Sequence, residues 1–285
     1  MWMSPGAHFN NVSVKYFTHK AEVNHCALSG DDYLLITASD DCKVRVWNIK
    51  SGKCLVKAKG HTGPVKTCAF SADSTLFASG SSDCTVRLWD KATARCLYTL
   101  QGHTRSVETV CFSRDSKLLA SGSWDYTALL WDTKLGQIVR TFTGHQNVIK
   151  SCAFSFGGEH MATGSWDYTV IVWDVRHTKP GRYLSGHTGN VSCVAFSSIG
   201  MLASGSWDKT VRVWDSRTGI LIFLLEEHSG HLMALAFSLD AILLVTAAEN
   251  GTEKLDVITS CQFSSFATLL TAGTSDYMVT ITKAK

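Results

Sequence analysis

The feature that most constrains this chain is a repeat of 42 residues. The dipeptide Gly60-His61 returns three times at that spacing, beginning at residues 102, 144 and 186. A Trp-Asp dipeptide keeps nearly the same period, beginning at residues 89, 131, 173 and 214. Periods of about 20–50 residues are typical of chains in which each unit buries its apolar face against the next unit. The chain is therefore predicted to be a row of similar units rather than one or two generic domains.

Each repeat contains four segments of strand length that are separated by turn residues. In the second repeat these segments are 65–70, 76–81, 85–89 and 96–100. They are rich in β-branched and aromatic residues, which favour strands. No stretch sustains the period of about 3.6 residues that a helix needs. The predicted fold class is all-β, with almost no helix.

Four short strands per repeat, marked by Gly-His and Trp-Asp, closely resemble the WD40 repeat family. The resemblance extends from about Val12 to Thr282. It implies a β-propeller, in which each four-stranded sheet is one blade around a central channel. We expect a tail over residues 1–10 and a single propeller domain over 11–285. Its repeats are placed at about 19–59, 60–101, 102–143, 144–185, 186–226, 227–252 and 253–285.

The pattern breaks in the sixth repeat. In the first five repeats, 20 residues separate the repeat's Asp from the next His, as in Asp41 to His61. In the sixth, Asn250 takes the Asp place and Lys254 takes the next His place, only 4 residues later. Sixteen residues are missing, which is the length of a third strand, a turn and a fourth strand. The truncated repeat is expected to form two strands within 228–254.

The seventh repeat is degraded, and only Asp276 remains of its polar set. Its strands are expected at about 256–263, 267–273 and 277–282, with a fourth strand, 11–17, supplied from the N-terminus as the resemblance implies. Such closure would remove exposed sheet edges. The prediction is a ring of seven positions with an incomplete sixth blade. The alternatives are six blades plus a loop, and a splice form that lacks an exon.

Five repeats carry His, Ser or Thr, Asp and Trp at fixed offsets. The sets are His19/Thr37/Asp41/Trp47, His61/Ser79/Asp83/Trp89, His103/Ser121/Asp125/Trp131, His145/Thr163/Asp167/Trp173 and His187/Ser204/Asp208/Trp214. Ser, His and Asp together suggest a hydrolase. A catalytic site, however, is a single arrangement with its own geometry. Five identical sets indicate instead a structural role that is repeated in every sheet.

The family resemblance implies a buried relay in each of these sets. Asp accepts a hydrogen bond from His, His bonds the hydroxyl, and the hydroxyl accepts one from the indole N–H, which matches the donors and acceptors of these groups. No P-loop, dinucleotide fingerprint or HExxH motif is present. We therefore predict no enzymatic activity, no cofactor and no metal.

The ten cysteines also follow the repeat. Six are expected in first strands, two in the turn after the Asp and two in fourth strands: Cys26, Cys68, Cys111, Cys152, Cys193 and Cys261; Cys42 and Cys84; Cys54 and Cys96. They show no CxxC or other zinc spacing. Reduced, structural thiols are predicted, as is usual in the cytosol.

Charge and hydropathy exclude several classes of protein. The net charge is +3, and no Lys/Arg run reaches five residues, which disfavours direct nucleic-acid binding. No apolar run is long enough for a transmembrane helix, and the first residues do not resemble a signal peptide. A cytoplasmic monomer is expected, with the nucleus as a second compartment.

Loops on a rigid scaffold are where binding sites usually lie. The resemblance implies that the residue before each repeat's Asp faces the channel mouth. Three consecutive repeats place Trp there, which is the residue type most enriched at interface hot spots. The row is Asp40, Ser82, Trp124, Trp166, Trp207, Glu249 and Ser275. The indoles could dock a partner, or each could simply pack on its neighbouring blade.

A second row of top-face candidates follows each His by two to four residues. It includes Arg105, Ser106, Asn147, Val148 and Asn190, of which Arg105 could add a cation beside Trp124. The candidate partner-binding residues are Trp124, Trp166, Trp207, Arg105, Ser82 and Asp40. The predicted function is a non-catalytic scaffold or adaptor that docks peptide segments of other proteins. The alternatives are a reader of histone tails or methyl-lysine in a chromatin complex, and a truncated splice form with impaired binding.

Overall fold

The computed structural model describes residues 19–177, 181–249, 258–263, 269–274 and 279–283. Throughout these ranges the regular secondary structure is strand, arranged in repeated antiparallel sheets. The predicted all-β class is confirmed at this level. Within the same ranges the structure holds no helix with the length and hydropathy that a membrane crossing requires.

Five sheets have four strands each. Their strands are β1 (Val23–Leu28), β2 (Leu34–Ser39), β3 (Lys43–Asn48), β4 (Cys54–Lys59), β5 (Val65–Phe70), β6 (Leu76–Ser81), β7 (Thr85–Asp90), β8 (Cys96–Gln101), β9 (Val107–Phe112), β10 (Leu118–Ser123), β11 (Ala128–Asp132), β12 (Gln137–Phe142), β13 (Ile149–Phe154), β14 (His160–Ser165), β15 (Val170–Asp174), β16 (Arg182–Leu184), β17 (Val191–Phe196), β18 (Met201–Ser206), β19 (Val211–Asp215) and β20 (Leu221–Leu225). In every one, consecutive strands pair with each other.

The last two sheets are shorter in the described part of the chain. The sixth has β21 (Leu232–Phe237) and β22 (Leu244–Ala248), and the seventh has β23 (Ile258–Phe263), β24 (Leu269–Thr274) and β25 (Val279–Lys283). Both agree with the strands expected there. The predicted tail 1–10 and closing strand 11–17 lie outside the described residues, and the domain boundaries stay predictions.

The turn between the second and third strands is built by the repeat's Asp. In the second sheet the Asp83 Oδ1 accepts a hydrogen bond from the backbone N–H of Thr85 at 3.0 Å, and Ser81 Oγ accepts one from the N–H of Asp83 at 3.2 Å. The intervening Cys84 has a φ of 67°. Asp side chains that bond the backbone two residues on stabilise such turns. The carboxylate is thereby fixed with its other oxygen, Oδ2, free to face the repeat's His.

The apolar core lies between neighbouring sheets. Leu88 of the second sheet, for example, packs in one buried cluster with Val110 and Trp131 of the third. Similar clusters join the first sheet to the second, the third to the fourth, the fourth to the fifth and the fifth to the sixth. Each sheet therefore depends on its neighbours for the burial of its two faces.

The first strand of each sheet contacts the first strand of the next, from β1 through β23. β1 also contacts β23 of the last sheet. There the N–H of Cys26 donates to Ser260 Oγ at 3.1 Å, and the N–H of Leu28 donates to Gln262 Oε1 at 2.8 Å. The seven first strands line a cavity of about 720 Å³, which we call the central cavity.

Candidate functional site

The structure brings the four polar side chains of each complete repeat into one chain of hydrogen bonds. In the third sheet the Nδ1 of His103 lies 2.9 Å from Asp125 Oδ2, and its Nε2 lies 2.8 Å from Ser121 Oγ. Trp131 Nε1 donates to the same hydroxyl at 2.8 Å. The other four sets share this arrangement, with distances between 2.6 and 3.1 Å.

Two of the sets use Thr in place of Ser, and they close in the same way. In the first sheet Thr37 Oγ1 lies 2.6 Å from the Nε2 of its His and accepts from Trp47 Nε1 at 2.9 Å. In the fourth sheet Thr163 Oγ1 lies 2.7 Å from the Nε2 of its His and accepts from Trp173 Nε1 at 2.8 Å.

These four residues belong to the core rather than to a surface site. Thr37 and Thr163 are fully buried, and Trp47 and Trp173 are only 6% and 5% exposed. Trp47 packs with the apolar residues of the first sheet, and Trp173 packs in the cluster between the third and fourth sheets. A partner or substrate cannot reach side chains that are buried in this way. Neither pair can therefore contribute directly to binding, and the candidate surface must be sought elsewhere.

The protonation of the sets follows from their burial. Desolvation lowers the pKa of His19 to about 4, despite the opposing charge of Asp41. Burial would raise the pKa of Asp83, but hydrogen bonds from Thr85 and His61 lower it to about 2. A neutral His beside a carboxylate must carry its proton on Nδ1, which leaves Nε2 to accept from the hydroxyl. Each hydroxyl then donates to His and accepts from Trp, so every group in the relay has a partner.

The sixth sheet contains half of such a relay. The Nε2 of His228 lies 2.8 Å from Thr246 Oγ1, as in the complete sheets. No indole reaches this hydroxyl within the described residues, because the third strand that would carry it is missing. Thr246 is only half-buried, whereas the matching Ser204 of the fifth sheet is fully buried. Asn250, Lys254, Ser275 and Asp276 lie outside the described residues.

The three predicted indoles form a continuous row of ring contacts along the wall of the central cavity. Trp124 and Trp166 meet edge to face with centroids 5.4 Å apart, and Trp166 and Trp207 are 5.6 Å apart. Trp207 also stacks on His231 at 5.2 Å. Trp124 is 39% exposed, and the two other indoles are half-buried. Both interpretations of the row thus have support, because the rings pack on their neighbours and still present a surface.

The row is held mainly by packing. The N–H groups of Trp166 and Trp207 are buried without an acceptor in the part of the chain that the structure describes. Unpaired buried donors are uncommon. The orientation of these two rings therefore comes from neighbouring rings and strands rather than from hydrogen bonds.

Two ion pairs that were not predicted from the sequence lie beside the aromatic row. Lys150 Nζ lies 2.6 Å from Glu108 Oε2, and Lys66 Nζ lies 2.9 Å from Asp40 Oδ1. Burial would raise the pKa of Glu108, but the Lys150 ammonium holds it below its usual value. The repeat could have predicted these pairs, because Lys66, Glu108 and Lys150 are each the second residue of a first strand.

The remaining candidates differ in their placement. Arg105 is exposed, and its guanidinium does not lie over the Trp124 ring. Ser82 Oγ accepts a hydrogen bond from Ser106 at 3.5 Å. Val148 was expected on the top face, but this is wrong: it is buried, because it lies directly before a first strand whose N-terminal residue enters the core.

All ten cysteines are free. Those in first strands line the central cavity, where Cys111 Sγ and Cys152 Sγ lie 3.0 Å apart. Burial raises the pKa of Cys111 well above its usual value and raises that of Cys193 to about 12. Thiols with such raised pKa values are poor nucleophiles and metal ligands at neutral pH. Within the described ranges, no group of three or more His, Cys, Asp or Glu side chains could hold a metal ion.

Comparison with known proteins adds a family match. The family described as "WD domain, G-beta repeat" matches residues 11–48, 52–90, 94–132, 136–174 and 178–215, about two thirds of the chain. Apoptotic protease-activating factor 1 of Danio rerio is similar to a short segment, with 40% identity over 47 residues. That segment is 16% of this chain and 4% of the Danio rerio protein.

Proposed function

The chain belongs to the WD40 family, and on that premise we propose that it is a non-catalytic scaffold that docks peptide segments of other proteins. WD40 domains generally mediate protein–protein interactions. The observation that carries the proposal is the unbroken aromatic row Trp124–Trp166–Trp207–His231 beside the central cavity.

The proposed platform is a ring of seven positions with an incomplete sixth blade. The contact of β1 with β23 and the two hydrogen bonds between these strands support closure between the first and last sheets. The pairing of β21 with β22 supports a two-stranded sixth position rather than a loop. A ring holds its loops rigidly, so the scaffold loses little conformational entropy when a partner docks on them.

The aromatic row fits the side of a peptide that carries apolar or aromatic groups. Large rings contribute much contact area with few rotatable bonds, which keeps the entropic cost of binding low. Trp124 offers the most accessible ring, and Trp166 and Trp207 support it from behind. Because each aromatic ring packs against the next, removing one ring should increase the mobility of the others.

The charges near the row favour a neutral ligand over a nucleic acid. Glu108 is paired with Lys150, and Asp40 is paired with Lys66, so neither lysine is free to neutralise a phosphate. Nucleic-acid affinity depends on such free cations. We propose that direct partners are proteins and that the chain works as a monomer in the cytoplasm, with the nucleus as a second compartment.

A methyl-lysine reader is the alternative that the indoles alone would suggest. An ammonium needs open ring faces and an unpaired negative charge. Here the rings contact each other directly, and the carboxylate of Glu108 is already occupied by Lys150 at 2.6 Å. We therefore rank a peptide partner above a methylated lysine. If the chain is instead a shortened form with impaired binding, no ligand should bind to this surface.

A catalytic function has no support from the relays. Their hydroxyls are fully buried in five near-identical sets, and each already donates and accepts a hydrogen bond. A nucleophile must be reachable by substrate. We propose a structural role for all five.

Selection from a random peptide library on the immobilised protein tests the docking surface. Selected peptides should lose at least about tenfold in affinity when Trp124→Ala is introduced, as for a hot-spot aromatic residue. The matched control is Phe156→Ala, which removes an exposed aromatic ring from the turn at the other end of β13. Peptides that bind folded Trp124→Ala as tightly as wild type would rule out the aromatic row as the site.

A further inference from the structure

In the described part of the chain, the outer edge of the second strand is unpaired in the sixth sheet, whereas the other six sheets pair that edge with a third strand. β22 pairs with β21 on one side, and on its other side no described strand follows. In the five complete sheets, that position is taken by the third strand. An open edge presents backbone N–H and C=O groups in the spacing that another strand can pair with.

Beside this edge, the fourth strand of the fifth sheet exposes apolar side chains. Phe223 is 51% exposed, and Leu225 is half-buried. Phe223 lies directly opposite Val213, whose side chain packs against Leu235 of the sixth sheet. Residues directly opposite each other share one face of a sheet. Phe223 therefore faces the side on which the sixth sheet lacks its outer half.

The position that Leu225 occupies is buried in the four other complete sheets. Leu100 of β8 matches Leu225 and is 3% exposed, because the third sheet packs over it. Tyr98 of β8 matches Phe223 and is 36% exposed, against 51% for Phe223; its hydroxyl donates to the Lys134 carbonyl of the third sheet at 2.8 Å. The exposed apolar face in the fifth sheet is thus a contact surface without its usual cover.

The half relay supplies a third and independent feature. In each complete sheet the third strand delivers an indole N–H to the hydroxyl, as Trp89 does to Ser79 at 2.9 Å. Thr246 Oγ1 has its bond to His228 but receives no indole from the described residues. In the third sheet a single strand, β11, meets all three features: it pairs with β10, packs in one cluster with Leu100 and brings the Trp131 N–H to Ser121.

We propose that this surface, which we call the notch, is an acceptor for a β-hairpin supplied by a partner protein. The first strand of the hairpin would extend the sheet from β22 and place a Trp where its N–H donates to Thr246. This strand would also cover Leu225, as Leu129 and Trp131 of β11 pack in one cluster with Leu100. The turn of the hairpin would lie against Phe223, as Gly136 lies against Tyr98, and the second strand would lie outermost. This pairing continues the contact between the fifth and sixth sheets across Val213 and Leu235.

The chain itself shows what sequence such a hairpin needs. Its third and fourth strands have alternating apolar residues, a Trp and a tight turn, as in residues 85–101. A peptide of residues 85–101 is therefore the probe. The notch lies on the outer side of the ring, so it is independent of the aromatic row and of the peptide docking proposed there.

The test is a titration of the full chain with this peptide under reducing conditions, up to about 1 mM. We expect saturable binding that slows amide hydrogen exchange in residues 244–248. A Trp89→Phe peptide, which lacks the N–H, should bind about five- to tenfold more weakly, the fold-change for one lost hydrogen bond. Thr246→Val in the protein should weaken the wild-type peptide to the same extent.

Combining the two changes separates the hydrogen bond from general packing. If Trp89 of the peptide bonds Thr246, the Trp89→Phe peptide should lose nothing further on Thr246→Val protein. The Trp124→Ala protein should bind the wild-type peptide normally. Absence of binding to the folded chain, equal binding of both peptides to wild type, or protection outside 244–248 would overturn the proposal. The peptide variant keeps the test decisive even if Thr246→Val fails to fold.

Discussion

The fifth sheet, β17–β20, and the sixth, β21–β22, begin alike and differ in their outer halves. Both place a His Nε2 2.8 Å from a hydroxyl of the second strand. In the fifth sheet that hydroxyl, Ser204, is fully buried and bonded to Trp214; in the sixth, Thr246 is only half-buried. The comparison teaches that the two inner strands pair with each other without the outer two, while burial of the relay requires the outer strands.

The largest expected difference between the two regions concerns the fourth strands. Leu100 and Leu225 occupy matching positions, but only Leu100 is buried under a following sheet. Leu100→Ala should lower the free energy of unfolding by about 2–5 kcal/mol, as for other buried Leu residues, whereas Leu225→Ala should cost less than about 1 kcal/mol. Urea denaturation of both variants measures this, and equal losses would show that the notch is covered in solution.

The second difference concerns the relays. His103→Ala should cost about 1–3 kcal/mol, because it leaves the buried Ser121 and the Asp125 carboxylate without their partner. His228→Ala should cost less than about 1 kcal/mol, since its ring is half-exposed and bonds only Thr246. Melting temperatures report the difference. An unchanged melting temperature for His103→Ala would contradict the structural role of the relay.

Local opening should also distinguish the two sheets. Residues 202–206 lie in a strand that is paired on both sides, whereas 244–248 are paired on one side within the described chain. Exchange of the amides that pair with a third strand should be at least about tenfold faster in the sixth sheet, since edge backbone opens with less loss of contact. Hydrogen-exchange mass spectrometry resolves the two segments. Equal protection would mean that β22 already has a partner strand.

The smallest and most gradual effect is on the pH dependence of stability. The folded pKa of His19 is about 4, against an ordinary 6.5, so the unfolded chain binds more protons between these values. Stability is therefore full above about pH 6.5 and falls as the pH drops towards 4. The lowered pKa values of His61 and His187 act in the same direction.

The Asp residues extend this loss to lower pH. Asp83 and Asp208 have folded pKa values of about 2, against 3.8, so their contribution disappears as the pH falls from about 4 to 2. Urea denaturation at several pH values tests both windows. A free energy of unfolding that stays constant from about pH 7 to pH 5 would show that His19, His61 and His187 are not held neutral.

Much of the fold could be predicted because the same pattern of strands, turns and polar residues occurs in five successive repeats. The strands around Gly60, Gly102 and Gly144 were predictable from their alternation and turns, and the two strands expected in the sixth repeat are those that the structure describes there. The error at Val148 has a local cause, since a loop residue next to a strand can enter the core or face solvent. Spacing alone does not decide between these.

The candidate site was only partly predictable. The row of Trp124, Trp166 and Trp207 follows directly from the repeat, but whether the indoles contact each other depends on how adjacent sheets tilt. The Glu108–Lys150 pair joins residues 42 positions apart, and its 2.6 Å distance is a product of that packing. The stacking of His231 on Trp207 is also a product of that packing, and no Trp in the repeat of His231 could have indicated it.

The sequence by itself determined the order of the strands within each described sheet and the relay, because these depend on short-range pattern and on hydrogen-bond chemistry within one sheet. Only the tertiary structure decided which surfaces are covered. Leu100 and Leu225 have the same side chain and the same position in their repeats, yet one is buried and the other is not. Burial depends on what the neighbouring sheet supplies, and that is a property of the assembled sheets rather than of any single repeat.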